Sequence, residues 1–580
     1  MAGNFSIYSI INKNDIAIKL KIKKSKYKQK VKLLKQARLD YEKRWKAIRD
    51  YQLPHIGFFD DTADKTNPAR RTDTKIYNGI AWEANQVFAA GIMSGLTPPS
   101  RQWYRLAFAN RELADNSDAG AILDQRMDIL NDVLNKSNFY NAIHSCYLEL
   151  SFGQAPLAVF ADSKTGVHFV PYTIGTYYLA QGPDRLVNTF LSRTEMTAIQ
   201  LQDKFGLENL PKTIQNGLKH GGNSNNKYVV NWLVEPNRMT DGNKLDRFHM
   251  PYISLYWLDE AEENEWLDIG GFQEFPVPVA RYLVNGGEVY AKAPGWFAEG
   301  DSKSLQLLEE DDLVAVELGI KPPMQGSTNN TVKGVDLVPG SFIPTETEQG
   351  VKPAFQVNIN LQHLHEKISQ LEERIKRYYS ADLFRMLDQA QNDKSMTARE
   401  VIERTQEKLQ QLGPVVERLQ FEFLSPIIER VYNILDRAGV FPPIENPDVQ
   451  EMLDGQSIKI EYISPLAQAQ KMSGLVNIEQ AYAFAMQLAQ GDPTILKKIN
   501  FVEMLNRYFE MLGAPSTIRY TDDEYKEMMQ QLQQQAQQQQ QEQNAMNMVQ
   551  AAAPMAQAAK NATEAANDGN PALQQMLGMM

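Results

Sequence analysis

The feature that most constrains the fold is a narrow apolar stripe near the middle of the chain. Its apolar residues recur at gaps of 3, 4, 3 and 4, the spacing of one stripe on an α-helix. They are Leu361, Leu364, Ile368, Leu371 and Ile375. Because charged residues fill most positions between them, this helix should pack on a neighbour along one side rather than lie fully buried.

A second, longer stripe follows a short polar segment. Thr397 and Glu400 have the spacing of a capping box, which predicts a helix start, and apolar residues then recur from Leu409 to Ile434. Gly413 and Pro414 interrupt this pattern. Because a proline inside a helix removes one backbone hydrogen bond and crowds the preceding turn, we expect a kink there.

An earlier helix and the segments around the stripes complete a mixed organisation. Residues 301–319 read as a helix capped by Asp301 or Ser302, with apolar positions at Leu305, Leu308 and Val316. Residues 156–289 contain short β-branched and aromatic runs separated by Gly, Asn and Pro, which predicts a mostly antiparallel sheet. The expected fold class is therefore α+β and mostly helical.

Two further segments are helical or biased in composition. Helices within 464–513 should form a bundle-like unit, with Phe484, Met486 and Leu488 among its apolar residues. Residues 521–580 are rich in Gln, Ala and Met, so this tail should be disordered or become helical only in an assembly. We expect a helix over 525–550 that extends the bundle as a short barrel, with 551–580 less ordered.

Composition limits the class of protein. The 580 residues are 43% hydrophobic and 23% charged, which suits a soluble protein of several domains. No apolar run approaches the ~20 residues that span a bilayer, and the first residues lack a signal-peptide pattern. A single cysteine, Cys146, excludes an intrachain disulfide and a cysteine zinc cluster. We therefore expect assembly in a cytoplasm and no membrane partner.

The charge is unevenly distributed. The net charge is −11, yet residues 19–35 contain nine lysines and no acidic residue. Such a run predicts either a solvated, mobile N-terminal arm over residues 1–34 or a contact to phosphate or to an acidic partner.

Catalytic and cofactor motifs are missing. The sequence has no P-loop, no dinucleotide-binding glycine pattern, no H-E-x-x-H and no G-x-S-x-G. His363 and His365 are two residues apart and so point away from each other on a helix, which makes a poor metal pair. The acid pairs 60–61 and 311–312 fit solvated surface. We expect no enzyme activity, no metal and no cofactor.

Three stretches, at 89–106, 396–419 and 464–470, together resemble the head-to-tail connecting (portal) proteins of short-tailed, podovirus-type bacteriophages. The first is the most specific, and it contains Gly91, Ser94, Gly95, Leu96, Pro98, Pro99, Ser100, Arg101 and Trp103. The order and spacing of the stretches add to the resemblance, which covers roughly residues 35–525.

The resemblance implies a ring, usually of twelve copies, at one capsid vertex around a DNA channel. Its domains would fall on this chain as a wing (35–300), first stem helix (301–324), clip (325–356), second stem helix (357–380), tunnel loop (381–396), kinked wing helix with a return segment (397–463) and crown (464–520). The basic N-terminal arm (1–34) and the tail (521–580) lie outside the resemblance. The residues of the tunnel loop that would face DNA are Asp388, Gln389, Gln391, Asn392, Asp393 and Lys394.

The implied partners are other copies of the chain, double-stranded DNA without sequence preference, the packaging terminase, tail or adaptor proteins, and capsid and scaffold proteins. An acidic protein with a loop holding Asp388, Asp393 and one lysine suits a channel in which DNA slides, because each fixed lysine–phosphate contact adds affinity. The alternatives are an internal virion ejection or membrane-active structural protein, and a packaging enzyme, which the missing P-loop disfavours.

Overall fold

The structure is a computed structural model, and it describes part of the chain. The described residues are 23–59, 76–108, 117–219, 225–238, 246–260, 265–327, 342–345, 352–353, 361–385, 412–444, 458–463, 482–488, 499–502, 504–505 and 522–567. The chain divides into two compact units, one of residues 1–107, 123–444 and 458–513, the other of 108–122, 445–457 and 514–580.

Helices supply most of the regular structure. They are α1 (Lys24–Tyr51), α2 (Ile80–Leu96), α3 (Ser117–Lys136), α4 (Phe139–Glu149), α5 (Ala198–Phe205), α6 (Lys212–Lys219), α7 (Pro294–Phe297), α8 (Glu299–Ile320), α9 (Leu361–Tyr378), α10 (Ser425–Arg437) and α11 (Asp522–Asn567). Residues 412–419 are also helical, and Gln420–Leu424 form one π-helical stretch that leads into α10.

The strands in the described part of the chain form four sheets. They are β1 (Tyr104–Phe108), β2 (Gln154–Asp162), β3 (Gly166–Pro171), β4 (Tyr177–Gln181), β5 (Val187–Thr197), β6 (Lys227–Pro236), β7 (Tyr252–Leu258), β8 (Asp268–Phe272), β9 (Val279–Arg281), β10 (Met324–Ser327), β11 (Phe342–Thr345), β12 (Lys352–Pro353) and β13 (Ile458–Tyr462). The largest is antiparallel, in the order β4-β5-β6-β7-β8. The others are β3-β2-β9, β11-β10-β12 and β1-β13. The predicted α+β class with an antiparallel sheet is confirmed.

The five-stranded sheet is buried on both faces. Phe190, Trp232 and Tyr256 lie in one apolar cluster, while their sequence neighbours Leu191 and Leu233 lie in the other. This follows from the alternation of side chains along a strand. Burial on both sides explains why these strands read as nearly continuous apolar runs rather than as alternating ones.

Helix α1 covers part of this sheet and begins earlier than predicted. We expected residues 1–34 to be a mobile arm, but the chain is helical from Lys24, and Tyr27 and Leu34 are buried in a sheet cluster. Nζ of Lys24 donates to the carbonyl of Glu265 at 2.9 Å, and Arg38 donates to the carbonyls of Gly175 and Tyr177. The contrary signal in the sequence was the 4, 3, 4 spacing of Tyr27, Val31, Leu34 and Arg38, which the many lysines obscure.

Two other expectations are corrected. Helix α8 starts at Glu299, next to α7, and its N-cap Ala298 makes no side-chain cap bond; neither Asp301 nor Ser302 is the cap. Asp301 instead pairs with Arg374, and Ser302 is buried. Phe484, Met486 and Leu488, expected inside a bundle, are exposed, whereas their neighbour Ala485 is buried.

The described part of the Gln-rich tail is a single helix. We predicted a helix over residues 525–550, and α11 covers them. It also continues to Asn567, with Pro554 inside it.

Candidate functional site

The two helices predicted as a pair, α8 and α9, pack against each other in antiparallel directions. The guanidinium of Arg374 lies 3.1 Å from the carboxylate of Asp301, and Nε2 of His365 lies 3.3 Å from that of Asp312. From the first contact to the second, residue numbers rise along α8 and fall along α9, so the two helices are antiparallel. The strands β10, β11 and β12 lie between the two helices in the chain.

The seam between α8 and α9 contains most of the residues predicted for it. Leu305, Ile368, Leu371 and Ile375 are buried, and Leu308 and Leu364 are partly buried. Val316 is the exception, since 40% of it is exposed in the single chain. Leu361 begins α9, and its side chain lies outside the described residues.

Hydrogen bonds from Gln306 fix α8 on the rest of the chain. Its Oε1 accepts from the backbone N–H groups of Tyr77 and Asn78, at 2.6 and 2.9 Å. Its Nε2 donates to the carbonyls of Asn78 and Tyr51, at 2.8 and 3.4 Å. A buried amide with these partners is costly to displace, so the base of α8 is held in one position.

The side chain of Asn78 joins the two helices. Its Nδ2 donates to Oε1 of Glu309 on α8 at 2.7 Å and to Oε1 of Glu372 on α9 at 2.8 Å. Just beyond α9, the hydroxyl of buried Tyr379 donates to Gln52 at 2.8 Å. The paired helices are therefore anchored at one end by buried polar contacts.

The stretch that carries the resemblance packs against the residues that directly follow α9. Gly91 faces Phe384, and a Cβ added at Gly91 would overlap the Cβ and ring of that phenylalanine. The neighbour that the missing Cβ of Gly91 admits is thus an aromatic side chain. The Phe384 ring also lies 6.2 Å from that of Phe88.

The remaining residues of the stretch divide between core and surface. Gly95, Leu96, Pro98 and Trp103 are buried, whereas Ser94, Pro99, Ser100 and Arg101 are exposed. The Trp103 ring stacks with Phe139 and Tyr462, at centroid distances of 6.1 and 6.4 Å. The Trp103 carbonyl also accepts from the N–H of Ile463 at 3.0 Å, next to the pairing of β1 with β13.

An ion pair reinforces the joining of β1 and β13. The guanidinium of Arg105 donates to Oε2 of Glu461 at 2.8 Å. Burial raises the pKa of Glu461, but the hydrogen bond and charge of Arg105 and the charge of Lys459 outweigh it, so the pKa lies below its usual value. The carboxylate is thus charged at neutral pH.

The long helix that ends at Arg437 departs from α geometry at residues 420–424, after the predicted kink position. Gly413 and Pro414 lie at the start of the described helical run, and the residues before 412 lie outside it. The π-helical stretch Gln420–Leu424 immediately precedes Ser425 and Pro426. Pro426 has no N–H to donate one turn back, which accounts for a local change of helix type. Pro426 is the signal in the sequence that points to this change of helix type.

Buried arginines hold this helix to the sheets. Arg430 donates to the carbonyl of Val159 at 2.9 Å and to Glu274 at 3.0 Å. Burial lowers the pKa of Arg430 to about 10, so it is still charged at neutral pH. Arg281, also buried, donates to Oε2 of Glu422 at 2.7 Å within the π-helical stretch. These contacts make the helix a fixed part of the core.

The chain between α8 and α9 contains a small sheet. β10 pairs with β11 in parallel and with β12 in antiparallel fashion. The chain between β10 and β11, and between β11 and β12, lies outside the described residues.

Several predicted features cannot be placed. The tunnel-loop residues Asp388, Gln389, Gln391, Asn392, Asp393 and Lys394 lie outside the described residues, as do Thr397 and Glu400. Across the described ranges, no cluster of His, Cys, Asp and Glu could hold a metal ion. No helix in the described part of the chain is long and apolar enough to cross a membrane.

Most of this chain matches a single family of proteins. The model of the family described as "Bacteriophage head to tail connecting protein" matches residues 24–519. The chain belongs to this family. The match starts at the first residue of α1 and includes α8, α9 and the stretch that contains Gly91.

Two relatives of this head-to-tail connecting protein agree with the family match. A "Portal protein" of Salmonella phage epsilon15 is 34% identical over 503 residues, which cover 86% of this chain and 89% of the relative. A "Probable portal protein" of Bordetella phage BPP-1 is 32% identical over 484 residues, which cover 83% and 86%. A solved chain described as "Virion of native gene transfer agent (GTA) particle" aligns with 63% of this chain and 98% of its own length, at 8% identity and a TM-score of 0.22, too low to carry an argument.

Proposed function

We propose that this protein is a viral portal, the head–tail connector of a short-tailed bacteriophage. Copies of the chain form a ring, of twelve copies in the usual case, at one vertex of the capsid. The ring is the conduit through which the genome is packaged and ejected. It is a structural component of the virion, assembled in the host cytoplasm, and not an enzyme.

The observation that carries this proposal is the family match over residues 24–519, together with relatives named as portal proteins. The antiparallel pair of α8 and α9 supports it. The pair is anchored at its base by Gln306 and Asn78, but α8 exposes apolar residues in the single chain. Those exposed residues are Leu307, Leu313, Val314, Val316 and Ile320. Such a surface fits a helix pair that packs on further copies of the chain.

The proposed domain assignment uses the same elements. α8 and α9 are the stem, and the chain between them, with its small three-stranded sheet, is the clip. The clip faces the packaging terminase and later the tail or adaptor proteins. The five-stranded sheet, α1 and α10 belong to the wing, which meets capsid and scaffold proteins. The tunnel loop follows α9, and the crown and the Gln-rich tail complete the chain.

A loss-of-protein experiment tests this function. Capsids assembled without the protein should contain no packaged DNA and carry no tails, and supplying the wild-type chain in trans should restore both. The measurements are the DNA content of purified particles and their appearance in electron micrographs. Full-length packaged DNA in particles that lack the protein contradicts the proposal.

A further inference from the structure

The outer face of α8 has a second stripe that is largely exposed among the described residues. Leu307, Asp311, Val314 and Leu318 recur at gaps of 4, 3 and 4, so they share one face of the helix. This face differs from the one that presents Leu305 and Asp312 to α9. Leu307 is 58% exposed, Val314 is 44% exposed, Asp311 is exposed and Leu318 is partly buried.

Helix α9 offers a surface of the opposite charge. Lys367, Arg374 and Tyr378 recur at gaps of 7 and 4 beside the buried Leu371. Lys367 is exposed, Arg374 is partly exposed next to Asp301, and Tyr378 is 39% exposed. Within the described part of the chain, neither Asp311 nor Lys367 forms an ion pair, so each charge is available to another molecule.

The heights of these charges along the stem agree. The pairs Asp301–Arg374 and Asp312–His365 set the register of the two helices. Asp311 is one residue from Asp312, and Lys367 is two residues from His365. At 1.5 Å rise per residue, Asp311 and Lys367 therefore lie within about 5 Å of the same height. In a closed ring, neighbouring copies are related by rotation without translation. Groups at the same height along the ring axis, which the stem is taken to follow, therefore lie side by side.

From this geometry we infer that the outer face of α8 packs against the α9 of the next copy of the chain. Leu307 and Val314 supply the apolar part of this stem-to-stem contact, and Asp311 pairs with Lys367 of the neighbouring copy. The inference rests on the proposed ring and specifies which faces of the stem meet. The contact is head-to-tail, since each copy contributes α8 on one side and α9 on the other.

Charge reversal at the two positions provides the test. Asp311→Lys places two like charges at every interface, and so does Lys367→Asp. Each variant alone should lose the ring in native mass spectrometry and negative-stain images at low salt. An equal mixture of the two variants should restore rings in which the variants alternate, because every interface then joins opposite charges.

The mixture separates a contact between copies from one within a chain. An internal Asp311–Lys367 pair would be rescued in the double variant Asp311→Lys/Lys367→Asp but not by mixing the single variants. The inferred contact is rescued by both. Far-UV circular dichroism of each single variant should match the wild type, because both positions are exposed.

Matched controls complete the design. Asp132→Lys makes the same change at an exposed acid on α3 and should leave the ring intact. At about 1 M salt, where charges are screened over about 3 Å, the single variants should recover part of their rings. Intact rings from either single variant at low salt, or no rescue on mixing, overturn the inference while wild-type rings leave the portal proposal standing. Absence of rings from the wild type counts against both.

Discussion

Gly91 illustrates how a single residue sets the position of the stem. It lies on α2 against Phe384, which follows α9 in the chain, and the three atoms closest to an added Cβ are Cγ, Cδ1 and Cβ of that phenylalanine. These atoms are near the backbone, so the ring cannot simply rotate away. The family-like stretch was recognisable from the sequence, but its partner was not, because nothing local indicates which residue, nearly 300 positions away, a glycine will face.

We expect Gly91→Ala to destabilise the protein. Overpacking against Phe384 should cost about 1–3 kcal/mol, offset in part by the better helix propensity of alanine. The measurement is the midpoint of thermal unfolding, which should fall. Gly319→Ala on α8 is the matched control, since no described atom lies within 4 Å of its added Cβ, and it should leave the midpoint unchanged or slightly higher. Equal midpoints for Gly91→Ala and the wild type would argue against close packing at this site.

At the scale of elements, regular spacing predicts that a segment is helical but not what the helix packs against. The stripe of α9 was predicted correctly because its gaps are regular and its other positions are charged. The helical stripe of α1 was missed because lysines dominate the same segment. Val316, Phe484, Met486 and Leu488 were expected to be buried but are exposed, since an apolar residue in a sequence does not say whether its neighbour belongs to the same chain.

Ile368→Asp tests the α8–α9 pair. Ile368 is buried, so the substitution places an unpaired charge in an apolar seam, at a cost of several kcal/mol. The variant should unfold at lower temperature and should form no rings, as judged by size-exclusion chromatography with light scattering. Ser369→Asp, one position along and exposed, adds the same charge and should behave like the wild type. Normal rings from Ile368→Asp would mean that this helix is not an assembly element.

At the scale of the whole molecule, the proposed clip should be separable from the rest of the ring. Gly326 and Pro344 are paired on neighbouring strands, so deleting residues 326–347 removes part of β10 and all of β11. We expect rings of normal size that fail to bind tail proteins, because in the proposed domain assignment the clip is a polar segment at the end of the two stem helices. Co-sedimentation with tail proteins is the measurement, and retained binding would place the docking surface elsewhere.

The tail helix should likewise be an addition to the ring rather than a requirement for it. α11 has 46 residues and exposes Met529 and Leu532, too little apolar surface to order a helix alone in water. We therefore expect it to be stabilised by the same helix of neighbouring copies. Truncation at Asp523 should leave rings intact and lower the absolute helical signal in circular dichroism. An unchanged signal would show that the tail is not helical in solution.

The proposed portal function requires above all that copies of this chain close into a ring around a channel. Negative-stain electron microscopy of the purified wild-type protein tests it directly, without any other phage component. We predict top views that are closed rings with a central stain-filled hole and, in the usual case for portals, twelve-fold symmetry. Monomers, compact particles without a hole, or open filaments under conditions in which the protein is folded would contradict it.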